Sequence, residues 1–120
     1  MVDFKLTRES GTTLLQLTGA VLDDDDADVL AEAFAFIRAD EHLVLDVTEM
    51  KELDARSATL VHHTLIRRAV GGQTVVVSCD ANVSMQLVLH DVDRVSPIVR
   101  TQQQAMQILD RSCSARPVPH

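Results

Sequence analysis

The residues of this chain that could do chemistry are few. They are an acidic run at Asp23, Asp24, Asp25 and Asp26, the acids Glu49, Glu52, Asp54 and Asp80, the pair His62-His63, the thiols Cys79 and Cys113, and a cation beside a hydroxyl at Arg56-Ser57. Clustered carboxylates suit hard divalent ions, but calcium loops space their ligands alternately around a glycine turn, which the run at 23–26 lacks. Helix capping and compensation of the helix dipole account for that run more simply. His62 and His63 are adjacent, so on a helix their rings diverge by about 100°, whereas helical zinc ligands stand four residues apart. No dinucleotide, phosphate-loop, G-x-S-x-G, H-E-x-x-H or EF-hand spacing occurs, so the chain reads as non-enzymatic, with no metal and no cofactor.

The two cysteines have neither C-x-x-C spacing nor the density of a disulfide scaffold. They read as a buried structural Cys79 and an exposed Cys113; a redox role would rest on the presence of two thiols alone. Arg56 fits a plain structural reading least well, because a cation in the first turn of a helix opposes the macrodipole by about 0.3–1 kcal/mol. Exposed ion pairs with Asp54, Glu52 and the acidic run could offset it, each worth about 0–1 kcal/mol. Alternatively Arg56 contacts a partner, since arginine is enriched at interface hot spots. Ser57, in the same turn, is either an ordinary first-turn serine or an acceptor of phosphate, whose charge a helix N-terminus favours.

The elements that must position these residues follow from periodicity. Alternation over Asp3 to Arg8 and Thr13 to Thr18 around Ser10-Gly11 predicts a β-hairpin, with Phe4, Leu6, Leu15 and Leu17 on one face. Asp24 or Asp25 can cap a helix carrying Val29, Leu30, Ala33, Phe34 and Ile37 and ending near Arg38 or Ala39. Leu43 to Val47 is a continuous apolar run, as expected of a central strand covered on both faces. A second helix follows Asp54, with Leu60, Val61, Thr64, Leu65 and Ala69 on one stripe, Arg67-Arg68 in its last turn and Gly71-Gly72 as its stop. Thr74 to Ser78 is another buried strand, Val83 to Asp91 a short helix carrying Val83, Leu87 and Val88, and Pro97 to Val99 a brief edge strand. Thr101 and Gln104 have the spacing of a capping box before a last helix through Leu109. The domain thus spans residues 1–110, and residues 111–120, which lose periodicity and gain two prolines, form a flexible tail.

The resulting order, ββαβαβαβα, defines an α/β domain with a mixed sheet of about five strands and four helices. Ligands and partners of such sheets meet the loops beyond the carboxyl ends of the parallel strands. Those loops are Gly19 to Asp26, Thr48 to Ser57 and Cys79 to Asn82, and together they form an acidic lip.

Size and composition narrow the partner. The 120 residues suffice for one core, and 46% hydrophobic with 24% charged residues is ordinary globular usage. Eighteen acids against 11 bases give a net charge of −7, which repels nucleic acid. With three Phe and no Trp or Tyr, a partner surface must rely on aliphatics and charge. The start lacks a signal-peptide pattern and no apolar run approaches the roughly 20 residues of a membrane span. The expectation is a cytoplasmic protein with no direct membrane insertion; its hydrophobic edges could support a homodimer, which nothing specifies.

The chain resembles the STAS domain, the family of anti-sigma-factor antagonists, over nearly all of Phe4 to Leu109. Gly19-Ala20-Val21-Leu22-Asp23 echoes the family's G-E-[LIV]-D turn. Asp46-Val47-Thr48, five residues, then Asp54-Ala55-Arg56-Ser57-Ala58 match the signature D-[LV]-[ST]-x5-D-S-S-G-L without a gap. Gly71-Gly72 to Ser78, Ser96-Pro97-Ile98-Val99 and Gln104-Ala105 also agree. The resemblance implies binding to an anti-sigma factor that is also a serine kinase, which phosphorylates the second serine of D-S-S-G; the unphosphorylated form binds that partner and releases the sigma factor. Carried over residue by residue, Asp54 is kept, the first serine is Ala55, the acceptor is Arg56 and the glycine is Ser57. A guanidinium cannot accept phosphate, so the usual phosphorylation is absent and Ser57 is the nearest hydroxyl that could replace it. The resemblance therefore implies partner binding through Asp23, Asp24, Asp54, Ala55, Arg56, Ser57, Thr59, Leu60 and Asp80. The alternative it leaves is an accessory or sensory STAS domain in a transport complex or stress-signalling scaffold.

Overall fold

The computed structural model describes residues 2–9, 11–21, 24–38, 41–68 and 73–114. Asp23, the turn residue Ser10, the helix stop at Gly71-Gly72 and residues 115–120 lie outside them. Strands β1 (Val2–Glu9) and β2 (Thr12–Val21) form the expected hairpin, with Phe4 opposite Leu17 and Leu6 opposite Leu15. Gly11, with φ of 79°, supplies the left-handed backbone that this tight turn requires. The sheet continues through β3 (His42–Leu53) and β4 (Thr74–Val77) to β5 (Ile98–Val99), in the order β1-β2-β3-β4-β5, and every pairing after the hairpin is parallel.

Each new strand is added on the same side of its predecessor, so successive right-handed crossovers place their helices on one face. That face carries α1 (Asp24–Ala35), α2 (Ala55–Arg68), α3 (Ala81–Leu89) and α4 (Val92–Val95) over Leu15, Leu17, Leu43, Leu45, Val47 and Val76. Helix α5 (Gln102–Ser114) follows the last strand and returns over the other face, where Ala105 and Leu109 meet Val44, Val75 and Val77. Alternate residues of β3 and β4 thus enter two cores, which is why both strands read as unbroken apolar runs. The start of α5 is fixed as its capping spacing predicts: the Gln104 amide donates to Thr101 Oγ1 at 3.1 Å, and Gln104 Oε1 accepts the Arg100 amide at 3.0 Å.

Four expectations change. Strand β3 does not stop near Val47 but runs to Leu53, because two register shifts against β2 insert two extra residues into it, the second shift beside Gly19 with φ of 88°. Five helices rather than four occur among the described residues: the third, α3, ends at Leu89, and Asp91, in the left-handed region at φ 62°, starts a further single turn, α4, beyond the expected helix. Helix α1 ends at Ala35, and the chain leaves it through tighter turns in which the Phe36 and Ile37 amides reach Ala33 and Phe34 carbonyls. Helix α5 extends to Ser114, past the expected boundary at residue 110.

The amino ends of the parallel strands are closed by a polar network. Arg68, buried at the end of α2, donates to the Arg38 carbonyl at 2.8 Å, to the Glu41 carbonyl and to Thr74 Oγ1 at 3.3 Å. Glu41 in turn accepts from Thr13 and pairs with Arg8 at 3.4 Å. These hydrogen bonds satisfy the chain ends at that edge, and Glu49, Glu52, Asp54 and Asp80 stand at the opposite one.

Candidate functional site

The bulged end of β3 shapes the site. Asp46, 4% exposed, accepts the Thr48 amide at 2.9 Å and the Thr48 hydroxyl at 2.7 Å with Oδ1, while Oδ2 takes Gln102 of α5. This loop within the strand starts the first bulge, after which Val47, Met50 and Leu53 are buried at intervals of three. Glu49, Lys51 and Glu52 consequently project outward. The strand then delivers Asp54 to the start of α2, where its Oδ1 accepts the Ser57 amide at 2.7 Å and its carbonyl accepts the Ala58 amide at 3.0 Å. Asp54 is therefore the N-cap, and its negative charge lies where the helix dipole favours one.

Each residue expected at the site has a distinct place. Ala55 and Arg56 are exposed on the first turn, Thr59 and Leu60 are half-buried on the second, and Leu60 packs against the main core. Ser57 is fully buried, and its Oγ has no hydrogen-bond partner, alone in this among buried side-chain polar atoms of the described residues. A phosphate carries about −1.5 to −2 charges at neutral pH, so transfer to that hydroxyl would require the first turn of α2 to open. The expected replacement acceptor is thus held away from solvent. Asp80 caps α3, accepting the Asn82 amide at 2.9 Å and the Val83 amide at 3.0 Å. Asp24 opens α1, and Asp23 lies outside the described residues.

Two readings of individual residues are corrected. Asp26 does not belong to the acidic lip: it is buried and accepts the Val2 amide at 3.0 Å, tying α1 to β1. Cys79 is exposed rather than buried, because β4 ends at Val77 and the buried residue that follows is Ser78, whose hydroxyl lies 2.7 Å from that of Ser84. Cys79 makes only a long contact, 3.8 Å, to the Thr48 carbonyl. Among the described residues no three metal-ligating side chains converge, and no helix is long and apolar enough to cross a membrane.

The β3–α2 junction and α3 face each other across a groove of about 320 Å³ lined by Glu52, Leu53, Asp54, Asn82, Met85 and Gln86. Thr59 Oγ1 donates to the Ala55 carbonyl at 3.0 Å and lies 3.3 Å from His90 Nδ1, which joins α2 to the end of α3. Met85, Val88 and Leu89 stand outward on α3 beside this groove. Val88, expected on the core face of this helix, is exposed instead, as is Met85. The available signal was that α3 is apolar on both of its faces, which leaves one face without a place in a single core.

The arrangement has the parts of a docking edge: a capped helix start presenting Arg56, a flanking acidic strand end and an apolar helix face. Solved structures share the fold. An anti-sigma factor antagonist from Mycobacterium paratuberculosis aligns with 92% of this chain and 95% of its own at a TM-score of 0.76 and 17% identity. A candidate anti-sigma factor antagonist from Thermotoga maritima aligns over 90% and 95% of the two chains at 0.77 and 19% identity. The anti-sigma factor antagonist SpoIIAA in its unphosphorylated form aligns over 91% and 97% at 0.68 and 16% identity. No family model matches the chain. No curated protein matches it either. At these identities the likeness establishes the fold, which is the STAS fold of anti-sigma factor antagonists.

Proposed function

We propose that this protein is an anti-sigma factor antagonist: it binds an anti-sigma factor, or a related regulator with a serine-kinase fold, and so controls a sigma factor without being phosphorylated at the start of α2. It is a binding protein and not an enzyme. The observation that carries this reading is the capped first turn of α2, where Asp54 keeps the turn's shape, Arg56 occupies the exposed position and Ser57 is sealed inside. A phosphorylatable switch needs an accessible hydroxyl, and this turn offers a permanent cation in its place. The contact is therefore constitutive, regulated by the amounts of the two proteins. Fold likeness to proteins named as anti-sigma factor antagonists supports the partner class. The bound partner meets Arg56, Ala55 and Thr59 of α2, and the acids Glu52, Asp54 and Asp80.

Affinity capture of the tagged protein from its own cell, with mass spectrometry of partners and of bait phosphosites, tests the reading. The expected result is an anti-sigma factor with a kinase-like fold and no phosphate on Ser57, and Arg56→Glu weakens the purified complex by about 10-fold or more, the scale of an interface hot spot. Capture of transport subunits or scaffold proteins instead would assign the domain to an accessory role, and phosphate on Ser57 would restore a switch.

A further inference from the structure

Helix α3 carries two apolar faces, separated by Ser84 on one side and Gln86 on the other. Val83 and Leu87 are fully buried against the main core, whereas Met85, Val88 and Leu89 are 53%, 50% and 65% exposed. At about 100° per residue the outward three span roughly a 100° arc, a continuous stripe rather than scattered side chains. A helix with two apolar faces belongs inside an assembly, since a single core can cover only one of them. The stripe also continues into the groove, because Met85 lines both.

The rim of this stripe is acidic. Glu52, Asp54 and Asp80 stand at its amino end, and the exposed Asp91 and Asp93 at its carboxyl end, where Arg94 pairs with Asp91 at 3.4 Å. A second copy of this chain brings the same acids and a net charge of −7, and an anionic lipid surface or nucleic acid is repelled in the same way. We infer that the outward face of α3 receives an amphipathic helix of a partner protein whose apolar stripe is flanked by lysine and arginine. The inference rests on the reading of this edge as a protein-docking site, and it adds the chemistry of the occupant. Met85, flexible and polarizable, adapts to the partner's aliphatic side chains, while the acids set its orientation and speed its approach.

The test is an NMR amide titration of the full chain with two synthetic amphipathic helices of about 18 residues, identical in their leucine stripe but flanked by lysine in one and glutamate in the other. The lysine peptide is expected to shift the amides of Met85, Val88 and Leu89 and to bind at least about 10-fold more tightly than the glutamate peptide. Val88→Asp combined with Leu89→Asp abolishes those shifts while the remaining spectrum stays folded. Equal affinity for the two peptides, shifts centred on another element, or concentration-dependent dimerisation that covers α3 would each overturn the inference. The purified complex with the captured anti-sigma factor separates the two claims. If the α3 pair leaves its affinity unchanged while Arg56→Glu lowers it, the α3 inference fails and the functional reading stands. The opposite pattern upholds α3 and removes Arg56 from the interface.

Discussion

Asp54 accepts the amide of Ser57 at 2.7 Å, so the first turn of α2 is held by a carboxylate three residues before a serine whose own hydroxyl has no partner. The cap depends on the serine's backbone and not on its side chain. That separation lets the turn keep its geometry while the residues at 55, 56 and 57 change, and it turns the exposed chemistry over to Arg56.

Removal of the cap has a cost set by helix physics. Asp54→Ala should lower stability by about 1 kcal/mol, and Asp54→Asn, which keeps the accepting oxygen, should recover most of it. Urea denaturation checks this; equal losses in the two variants would mean that charge rather than the hydrogen bond holds the turn.

The hydroxyl of Ser57 should be dispensable for folding. A buried unmade hydrogen bond costs about 1–3 kcal/mol, so Ser57→Ala is expected to be neutral or to raise stability by about 1 kcal/mol. Ser57→Glu buries an uncompensated charge and should cost more than about 3 kcal/mol. Thermal midpoints of the two variants decide it, and a well-folded, unperturbed Ser57→Glu protein would contradict the burial described above.

Asp46 and Gln102 join the central strand to the helix on the second face. Gln102→Ala should cost about 1–2 kcal/mol and loosen the amino end of α5. Asp46→Ala also frees the Thr48 amide and hydroxyl, so its cost should be larger, about 3 kcal/mol. A double-mutant cycle should give a coupling of at least about 0.5 kcal/mol, as expected of residues in direct contact.

What could be read from the chain divides along physical lines. Signals written in adjacent residues were legible: the apolar runs of β3 and β4, the start of a helix after Asp54, the Thr101–Gln104 spacing and the paired faces of the hairpin. The extension of β3 was not, because two bulges convert its period of two into buried residues at Val47, Met50 and Leu53. Asp26 and Asp25 look alike in sequence, and only the approach of β1 turns one inward to the Val2 amide. The outward face of α3 escaped for a different reason. A helix with two apolar faces does not say in its own sequence which of them turns inward, so which of Leu87 and Val88 faces the core is decided by the sheet beneath. Ser57 illustrates the same limit, since its place in the first turn leaves both an ordinary serine and a phosphate acceptor open, and its burial comes from tertiary packing.

The central claim is that the end of the sheet carrying Asp54, Arg56 and the start of α3 is the surface that meets the partner. Amide hydrogen exchange of the protein alone and in complex with the captured anti-sigma factor addresses it most directly. The account predicts slowed exchange across residues 49–60 and 81–90, with the free edge of β1 and helix α5 unchanged. Protection confined to β1 or α5, with the first turns of α2 and α3 exchanging as in the free protein, would contradict it.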